Sequence, residues 1–206
     1  MAGPAAVAPG ASPPAQMTYE EFLAWAGEDT WAEWINGEVI VLSPASDPHQ
    51  NLCGFLAAVL RLFVEANQMG VVRFAPFQMK TGPNLPGREP DLLFIAQEHL
   101  DRLKGTYLEG PADLVVEIVS PDSGARDRGE KFYEYERGGV PEYWLLDYSR
   151  RQAEFYQLGQ DGVYRLVPVG EDGIYRSAVL KGLWLKVDWL WELPPELTVL
   201  REWKLV

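Results

Sequence analysis

The segment Asp113-Leu-Val-Val-Glu-Ile-Val119 places one carboxylate, Glu117, among aliphatic residues. A run of this composition is typical of a strand that is covered on both faces. A second apolar run, Asp91-Leu-Leu-Phe-Ile95, follows Pro90 and also begins with a carboxylate. Because an unpaired carboxylate is costly to bury, we expect Glu117 to have a cationic partner, which is either a metal ion or a basic side chain.

The residues around these two runs predict an α/β fold. Strand candidates at 71–79, 91–95 and 114–119 follow an amphipathic helix that begins at Asp47-Pro48 and ends at Gly70. A second helix is predicted from Ser123 to Arg137, and a buried strand from Tyr143 to Asp147. The order helix, three strands, helix, strand indicates a mixed sheet that is flanked by helices.

Further elements are predicted at both ends of this core. Thr18 and Glu21 form a capping box that predicts a short helix, and Asn36-Gly37 between two β-rich runs predicts a hairpin. Runs at 153–158, 164–169 and 174–178 are separated by glycine-containing turns and predict a meander of antiparallel strands.

Composition indicates one folded domain, at 17–206, after a short tail. The chain has 206 residues, of which 47% are hydrophobic, and a single cysteine, Cys53, which excludes a disulfide framework. Residues 1–16 are rich in alanine and proline and carry no positive charge, so we predict a flexible tail and neither a signal peptide nor a membrane anchor. The apolar runs are too short to span a bilayer, and we expect a cytoplasmic protein.

The net charge of −12 limits the partners that the protein can bind through charge alone. An acidic surface repels polyanions, which excludes proteins whose affinity for nucleic acid comes from a broad basic patch. A nucleic-acid partner would need a local basic groove, a divalent cation or a second protein.

Asp91 and Glu117 are the first candidates for a functional site. Two carboxylates at corresponding places on neighbouring strands would present hard oxygen ligands to one divalent ion, and Mg²⁺ suits such a site. The alternative is that Asp91 only starts a strand and that Glu117 pairs with an arginine.

Lys131, His49 and the two hairpin glutamates are weaker candidates. Lys131 follows Asp127 by four residues, so it either forms a surface ion pair with Asp127 or directs its ammonium group toward the two carboxylates. His49 lies in the first turn of a helix, where a histidine is usually solvated. Glu33 and Glu38 flank the hairpin turn, where polar residues are also normally solvated.

The ordered set of segments resembles a large family of bacterial proteins described as putative restriction endonucleases, a branch of the PD-(D/E)XK nuclease superfamily. The resemblance covers roughly residues 18–193. The matching segments are Glu33-Trp-Ile-Asn-Gly-Glu38, Ser43-Pro44 with His49-Gln50, Pro90-Asp91, Val116-Glu-Ile-Val-Ser-Pro121, Asp127 with Lys131, and Gly139-Val-Pro-Glu-Tyr-Trp144 with Asp147.

The resemblance implies a restriction-endonuclease-like fold and metal-dependent hydrolysis of phosphodiester bonds, with DNA as the expected substrate. It implies that Asp91, Glu117 and the backbone carbonyl of Ile118 hold Mg²⁺ or Mn²⁺. The superfamily pattern has a lysine two residues after the second acid, where this chain has Val119, so the matching lysine is Lys131 on the following helix. By the same resemblance, Glu38 and His49 occupy accessory positions near the site.

Two other functions are compatible with the sequence. A catalytically inactive module that keeps the nuclease fold for binding or regulation agrees with the acidic charge, whereas the presence of Asp91, Glu117 and Lys131 together favours an enzyme. A metal-dependent hydrolase of a small phosphoester would be less hindered by an acidic surface. A homodimer is expected by analogy with enzymes that cut both strands.

Overall fold

The computed structural model of the protein describes residues 16–26, 30–120 and 124–206. The predicted tail at 1–16 lies outside the described residues except for Gln16. Helices extend over Tyr19–Ala26 (α1), Asp47–Ala66 (α2), Gly124–Arg128 (α3), Glu130–Gly138 (α4), Trp189–Glu192 (α5) and Glu196–Glu202 (α6), with a 3-10 helix at Gln97–Arg102. Strands extend over Ala32–Ile35 (β1), Glu38–Val41 (β2), Gly70–Phe74 (β3), Gln78–Lys80 (β4), Gly87–Arg88 (β5), Leu92–Ala96 (β6), Tyr107–Glu109 (β7), Leu114–Ile118 (β8), Glu142–Asp147 (β9), Gln152–Leu158 (β10), Tyr164–Leu166 (β11), Ile174–Arg176 (β12) and Trp184–Lys186 (β13).

The central sheet is mixed, as the sequence predicts, and it has six strands. Its strand order is β11-β10-β9-β8-β6-β3, in which β8 pairs antiparallel with β6 and parallel with β9. Every residue of β8 is buried, which agrees with the aliphatic run at 114–118. The two strands that carry the candidate carboxylates are therefore neighbours in the middle of the sheet.

The two faces of the central sheet are covered by different elements. Alternate residues of β8, such as Val116 and Ile118, pack in one apolar cluster with α2 and with the C-terminal segments. Val115 belongs to a second cluster that includes Met79 of β4, Leu108 of β7 and Tyr135 of α4. Strands β4 and β7 belong to a second, five-stranded sheet of order β2-β1-β5-β4-β7. The fold is thus a layered α/β arrangement in which α4 and the second sheet lie on the face that Glu117 shares with Val115.

The N-terminal predictions agree with the structure. Thr18 and Glu21 make both capping-box contacts, since the Thr18 amide donates to Glu21 at 2.8 Å and the Glu21 amide donates to the Thr18 hydroxyl at 3.2 Å. Asn36 and Gly37 both have positive φ, and they join β1 and β2 in the antiparallel hairpin that the sequence predicts.

The prediction of one strand at 71–79 is wrong. The chain forms β3 at Gly70–Phe74 and β4 at Gln78–Lys80, with the Ala75-Pro76 bond between them, and the two strands belong to different sheets. A proline lacks the amide proton that a continuous ladder requires, and Pro76 marks the break.

Helix boundaries also differ from the predictions. The predicted helix at 123–137 is divided into α3 and α4 at Gly129, while Ser123 lies outside the described residues. The N-cap of α2 is Ser46 rather than Asp47, because the Ser46 hydroxyl accepts the His49 amide at 3.4 Å, and α2 ends at Ala66 rather than at Gly70.

The predicted C-terminal meander is confirmed only in part. Strands β9, β10 and β11 form it, but β12 leaves the central sheet and pairs with β13 in a two-stranded sheet. In the described part of the chain, no helix is both long and apolar enough to cross a membrane.

Glu142 attaches the segment after β12 to the central sheet. Its carboxylate is fully buried and accepts hydrogen bonds from Trp144 Nε1 at 2.6 Å and from the Tyr175 hydroxyl at 2.8 Å. It also accepts bonds from the Ser177 hydroxyl at 3.0 Å and from the backbone amides of Ala178 and Val179 at 2.9 and 3.0 Å. These neutral donors stabilise the buried charge without a cation.

We expect Glu142→Ala to lower the free energy of unfolding by about 3–5 kcal/mol, because the substitution leaves several buried donors without an acceptor. Urea denaturation of the parent and the variant measures this difference. Glu171→Ala, at an exposed position, is the control and should change stability by less than about 0.5 kcal/mol. Similar losses in the two variants would contradict a special role for Glu142.

Candidate functional site

Asp91, which directly precedes β6, lies opposite Glu117 of the neighbouring strand β8. Leu92 of β6 pairs with Val116 of β8, and the register continued by one residue brings Asp91 to Glu117. A short hydrogen bond of 2.6 Å from the Ile118 amide to Asp91 Oδ2 fixes this arrangement. Both carboxylates line one cavity of about 340 Å³, to which Ile118 also contributes.

His49 is the next neighbour of Asp91. It lies in the first turn of α2, is buried, and places Nε2 at 3.3 Å from Asp91 Oδ2. Burial lowers the pKa of His49, but the contact with the Asp91 carboxylate more than offsets this, so the pKa of the imidazole is raised. His49 is therefore buried against Asp91, whereas a histidine at a helix end is usually solvated.

Lys131 faces Glu117 from α4. Its ammonium group lies 2.9 Å from Glu117 Oε1, and the same oxygen accepts a 2.6 Å bond from the Tyr135 hydroxyl. The ammonium group of Lys131 is thus directed toward Glu117, as one of the two alternatives expected, and its ion pair with Asp127 Oδ1, at 3.5 Å, is a buried one. All of these side chains are buried, and none of the contacts is a surface ion pair.

Glu33 is one residue whose place in the site sequence reasoning missed. It belongs to β1 and is fully buried, although we expected it to be solvated at the hairpin. Glu33 Oε1 lies 3.2 Å from the Lys131 ammonium group, and Oε2 accepts a 2.9 Å bond from Arg88. Arg88 continues this chain of charges to Glu134 of α4, with contacts of 2.7 and 2.8 Å.

The pKa values in this cluster show which groups hold a charge. Burial alone would lower the pKa of Lys131, but Glu117, Glu33 and Asp127 raise it, so the amine is protonated at neutral pH. Burial alone would raise the pKa of Glu33, yet Lys131 and Arg88 lower it. Burial holds the pKa of Glu117 above its ordinary value, although the Lys131 charge opposes this effect.

Glu89 is a second residue that sequence reasoning missed. It precedes Pro90, is 5% exposed, and has one oxygen, Oε2, without a hydrogen-bond partner among the described residues. Burial and, to a smaller extent, the neighbouring Glu33 charge raise the pKa of Glu89 to about 8. The run Gly87-Arg-Glu-Pro-Asp91, with three charged residues directly before a buried strand, is the sequence signal that could have identified both Arg88 and Glu89.

Arg126 and Glu38 differ in their relation to the cavity. Arg126 of α3 lines it, with a side chain that is 29% exposed and 3.5 Å from Glu33 Oε2. Glu38 is exposed at the start of β2 and is not among the residues that line the cavity. Of the residues proposed from the sequence, the structure thus brings together Asp91, Glu117, Ile118, Lys131 and His49, but not Glu38.

The donor set suits a metal ion that keeps much of its water. Asp91 Oδ2 and Glu117 Oε1 are engaged with protein donors, whereas Asp91 Oδ1 and Glu117 Oε2 have no hydrogen bond to another described residue. Within the described ranges, no three histidine, cysteine, aspartate or glutamate side chains are grouped so that they could hold a metal ion. Two carboxylates, a backbone carbonyl and water ligands are nevertheless a set that Mg²⁺ accepts.

Comparisons with known proteins identify one family and one related fold. The family model described as Uma2, putative restriction endonuclease, matches residues 19–188. A crystal structure of a putative nuclease of the DUF820 group from Anabaena variabilis ATCC 29413 is similar, with a TM-score of 0.71 and 17% identity. The similarity covers 85% of this chain and 98% of that chain, and at this identity it shows a shared fold. No curated protein matches the chain.

The raised pKa of Glu89 predicts how stability depends on pH. The folded protein binds this proton up to about pH 8, whereas an unfolded glutamate releases it near its ordinary value of about 4.5. The stability that comes from the proton on Glu89 is therefore fully present at a pH below the ordinary glutamate pKa of about 4.5, and it is lost as the pH rises toward 8.

We expect Glu89→Gln to be more stable than the parent at pH 9, by an amount on the order of a few kcal/mol, and similar to it at pH 4.5. Urea denaturation at the two pH values checks this expectation. Glu171→Gln, which changes an exposed carboxylate, should show no such dependence on pH. A difference between Glu89→Gln and the parent that is the same at both pH values would contradict the prediction.

Proposed function

We propose that the chain, which belongs to the Uma2 family of putative restriction endonucleases, is a metal-dependent endonuclease. In this proposal it hydrolyses phosphodiester bonds in DNA. The observation that carries the proposal is the pair Asp91 and Glu117, which share one cavity with the buried ammonium group of Lys131. Two acids and a lysine in this relation match the chemistry of phosphodiester hydrolysis, in which negative charge develops on a phosphate.

Asp91, Glu117 and the Ile118 carbonyl are the groups that would hold Mg²⁺ or Mn²⁺. The metal ion would act as a Lewis acid on the phosphate and would lower the pKa of a bound water. The protein contributes rigidity, since the Ile118 amide holds Asp91 and the Tyr135 hydroxyl holds Glu117. Each carboxylate then has one oxygen fixed by the protein and one that remains for a ligand.

Lys131 acts in this proposal as a cation and not as a base. Its raised pKa disfavours the neutral amine that proton abstraction would require. A protonated lysine can instead stabilise negative charge on the phosphate or orient the attacking water. Arg126, partly exposed at the same cavity, has a planar guanidinium group that suits a phosphate oxygen pair.

The first test is cleavage of a panel of DNA substrates with Mg²⁺ or Mn²⁺. We expect cleavage that EDTA abolishes and that Asp91→Asn reduces by orders of magnitude, because the substitution removes a ligand charge while it keeps the size of the side chain. The fold of Asp91→Asn is checked by circular dichroism. If the parent binds DNA without cleaving it, the result would favour the inactive binding module. If the parent cleaves only small phosphoesters, it would favour a metal-dependent hydrolase of small phosphoesters.

The second test concerns Lys131. We expect Lys131→Met to lose turnover by orders of magnitude while Mn²⁺ affinity, measured by calorimetry, changes little. Since the substitution leaves buried carboxylates without their cation, it should also cost about 3–5 kcal/mol of stability, and assays must be run well below its melting temperature.

The pH profile of cleavage, compared between the parent and Lys131→Met, distinguishes the two roles of Lys131. If the lysine is a cation, the cleavage rate should not rise with the deprotonation of an amine between pH 7 and about 10. A rise of that kind, which disappears in Lys131→Met, would identify a neutral lysine base instead. Unchanged turnover in the folded variant would remove Lys131 from the mechanism.

A further inference from the structure

A second cavity, of about 360 Å³, opens beside the candidate active site. Three residues line both cavities, namely Trp31, His49 and Asp91. We name this second cavity the side slot. Because it shares a wall with the pair of carboxylates, a ligand with a phosphate at Asp91 can place a neighbouring group in the side slot.

The shape of the side slot follows from small residues on α2. Cys53, Gly54 and Ala57 lie on one face of the helix, at a spacing of three and four residues, and all line the slot. A methyl group added at Gly54 would meet no atom within 4 Å, so the slot is open at this position. The absence of a side chain at Gly54 leaves room for a flat ligand.

Aromatic rings form much of the remaining wall. Trp31 comes directly before β1, and Phe74 ends β3 with 50% of its surface exposed. Both line the side slot. Aromatic side chains that line a cavity can serve as platforms on which any of the bases can stack.

His49 is a polar residue in the wall that the two cavities share. The residue is 8% exposed, and its buried Nδ1 atom has no hydrogen-bond partner in the part of the chain that the structure describes. A buried polar atom without a partner is costly, and a ligand that offers a complementary group would relieve that cost. A flat ring that also carries donors and acceptors meets this requirement together with the aromatic walls.

We propose that the side slot binds an unpaired nucleobase next to the phosphate that Asp91 and Glu117 address. The inference rests on the proposed function and names its substrate class, which is single-stranded or locally unpaired nucleic acid. A base inside a duplex is stacked on both faces and cannot enter a slot beside the backbone.

The charge of the protein supports this substrate class. With a net charge of −12, the surface gives little general attraction for a duplex backbone. Arg126 and Lys131 line the active-site cavity, but each already faces buried carboxylates. Stacking in the side slot supplies affinity that does not depend on a basic surface.

The test is a binding measurement in EDTA, which prevents hydrolysis. A fluorescein-labelled thymidine oligonucleotide and a paired duplex of the same length are titrated with the full chain and followed by anisotropy. We expect tighter binding of the single strand than of the duplex. A single-stranded oligonucleotide that contains 2-aminopurine should lose fluorescence on binding, because the reporter base stacks on a ring of the slot.

Two substitutions test binding in the side slot, one by removing a side chain and the other by adding one. Trp31→Ala removes a stacking surface, and Gly54→Leu fills the open position while it improves helix propensity. Each should weaken binding of the single strand by about 10-fold. Gly105→Leu introduces the same side chain where a Cβ also meets no atom within 4 Å, away from the slot, and should bind like the parent.

The outcomes separate this inference from the proposed function. The proposal that the side slot binds an unpaired base would be overturned by any of three results. These are equal binding of duplex and single strand, no binding of the single strand, or binding by both Trp31→Ala and Gly54→Leu that equals that of the parent. If Gly54→Leu still cleaves DNA like the parent, the nuclease proposal stands and the slot does not. If the single strand binds through the slot but no metal supports cleavage, the slot stands and the nuclease proposal fails.

Discussion

The ammonium group of Lys131 is the contact on which the arrangement of the candidate site depends. It lies between Glu117 of the central sheet and Glu33 of the second sheet, and it is carried by α4. Two sheets and a helix therefore meet around one buried positive charge. Arg88 extends the pattern, since its guanidinium group joins Glu33 to Glu134 on the same helix. Alternating charges across this layer hold α4 in a fixed position over β8.

Much of the fold is readable from local sequence. The aliphatic runs at 91–95 and 114–119, the capping box at Thr18 and the turn at Asn36-Gly37 each depend on neighbouring residues, and the structure agrees with them. The errors arise where short-range signals compete. Gly129 divides a helix because its backbone, with φ −110° and ψ −95°, leaves the helical region, and a Cβ there would meet the Ala125 carbonyl at 2.8 Å. Pro76 separates two strands that an apolar pattern joins.

The site was less predictable than the fold, and Glu33 shows why. A glutamate beside a hairpin turn has the local pattern of a solvated residue, and nothing in that pattern reveals that Arg88 and Lys131 cover it. Those partners are 55 and 98 positions away along the chain. Glu117 was easier to identify, because aliphatic residues on both sides of it in the same strand predict that its carboxylate is buried. A buried carboxylate is costly unless it has a partner. Glu142 presents a third case, in which five neutral donors replace the cation.

The position of Val119 has a consequence for how chains with this kind of site can be recognised. Val119 is 5% exposed and packs in the apolar cluster that contains Val115 and Tyr135. A lysine there would bring a second ammonium group into the same core as Lys131, where the first charge already faces Glu117. A second ammonium group at position 119 would lie among apolar side chains, and burial of a charge without a partner of its own is costly. A search of sequences for two acids and a lysine at a fixed short spacing would therefore pass over this chain, whereas a search by the spatial relation of Asp91, Glu117 and Lys131 would retrieve it.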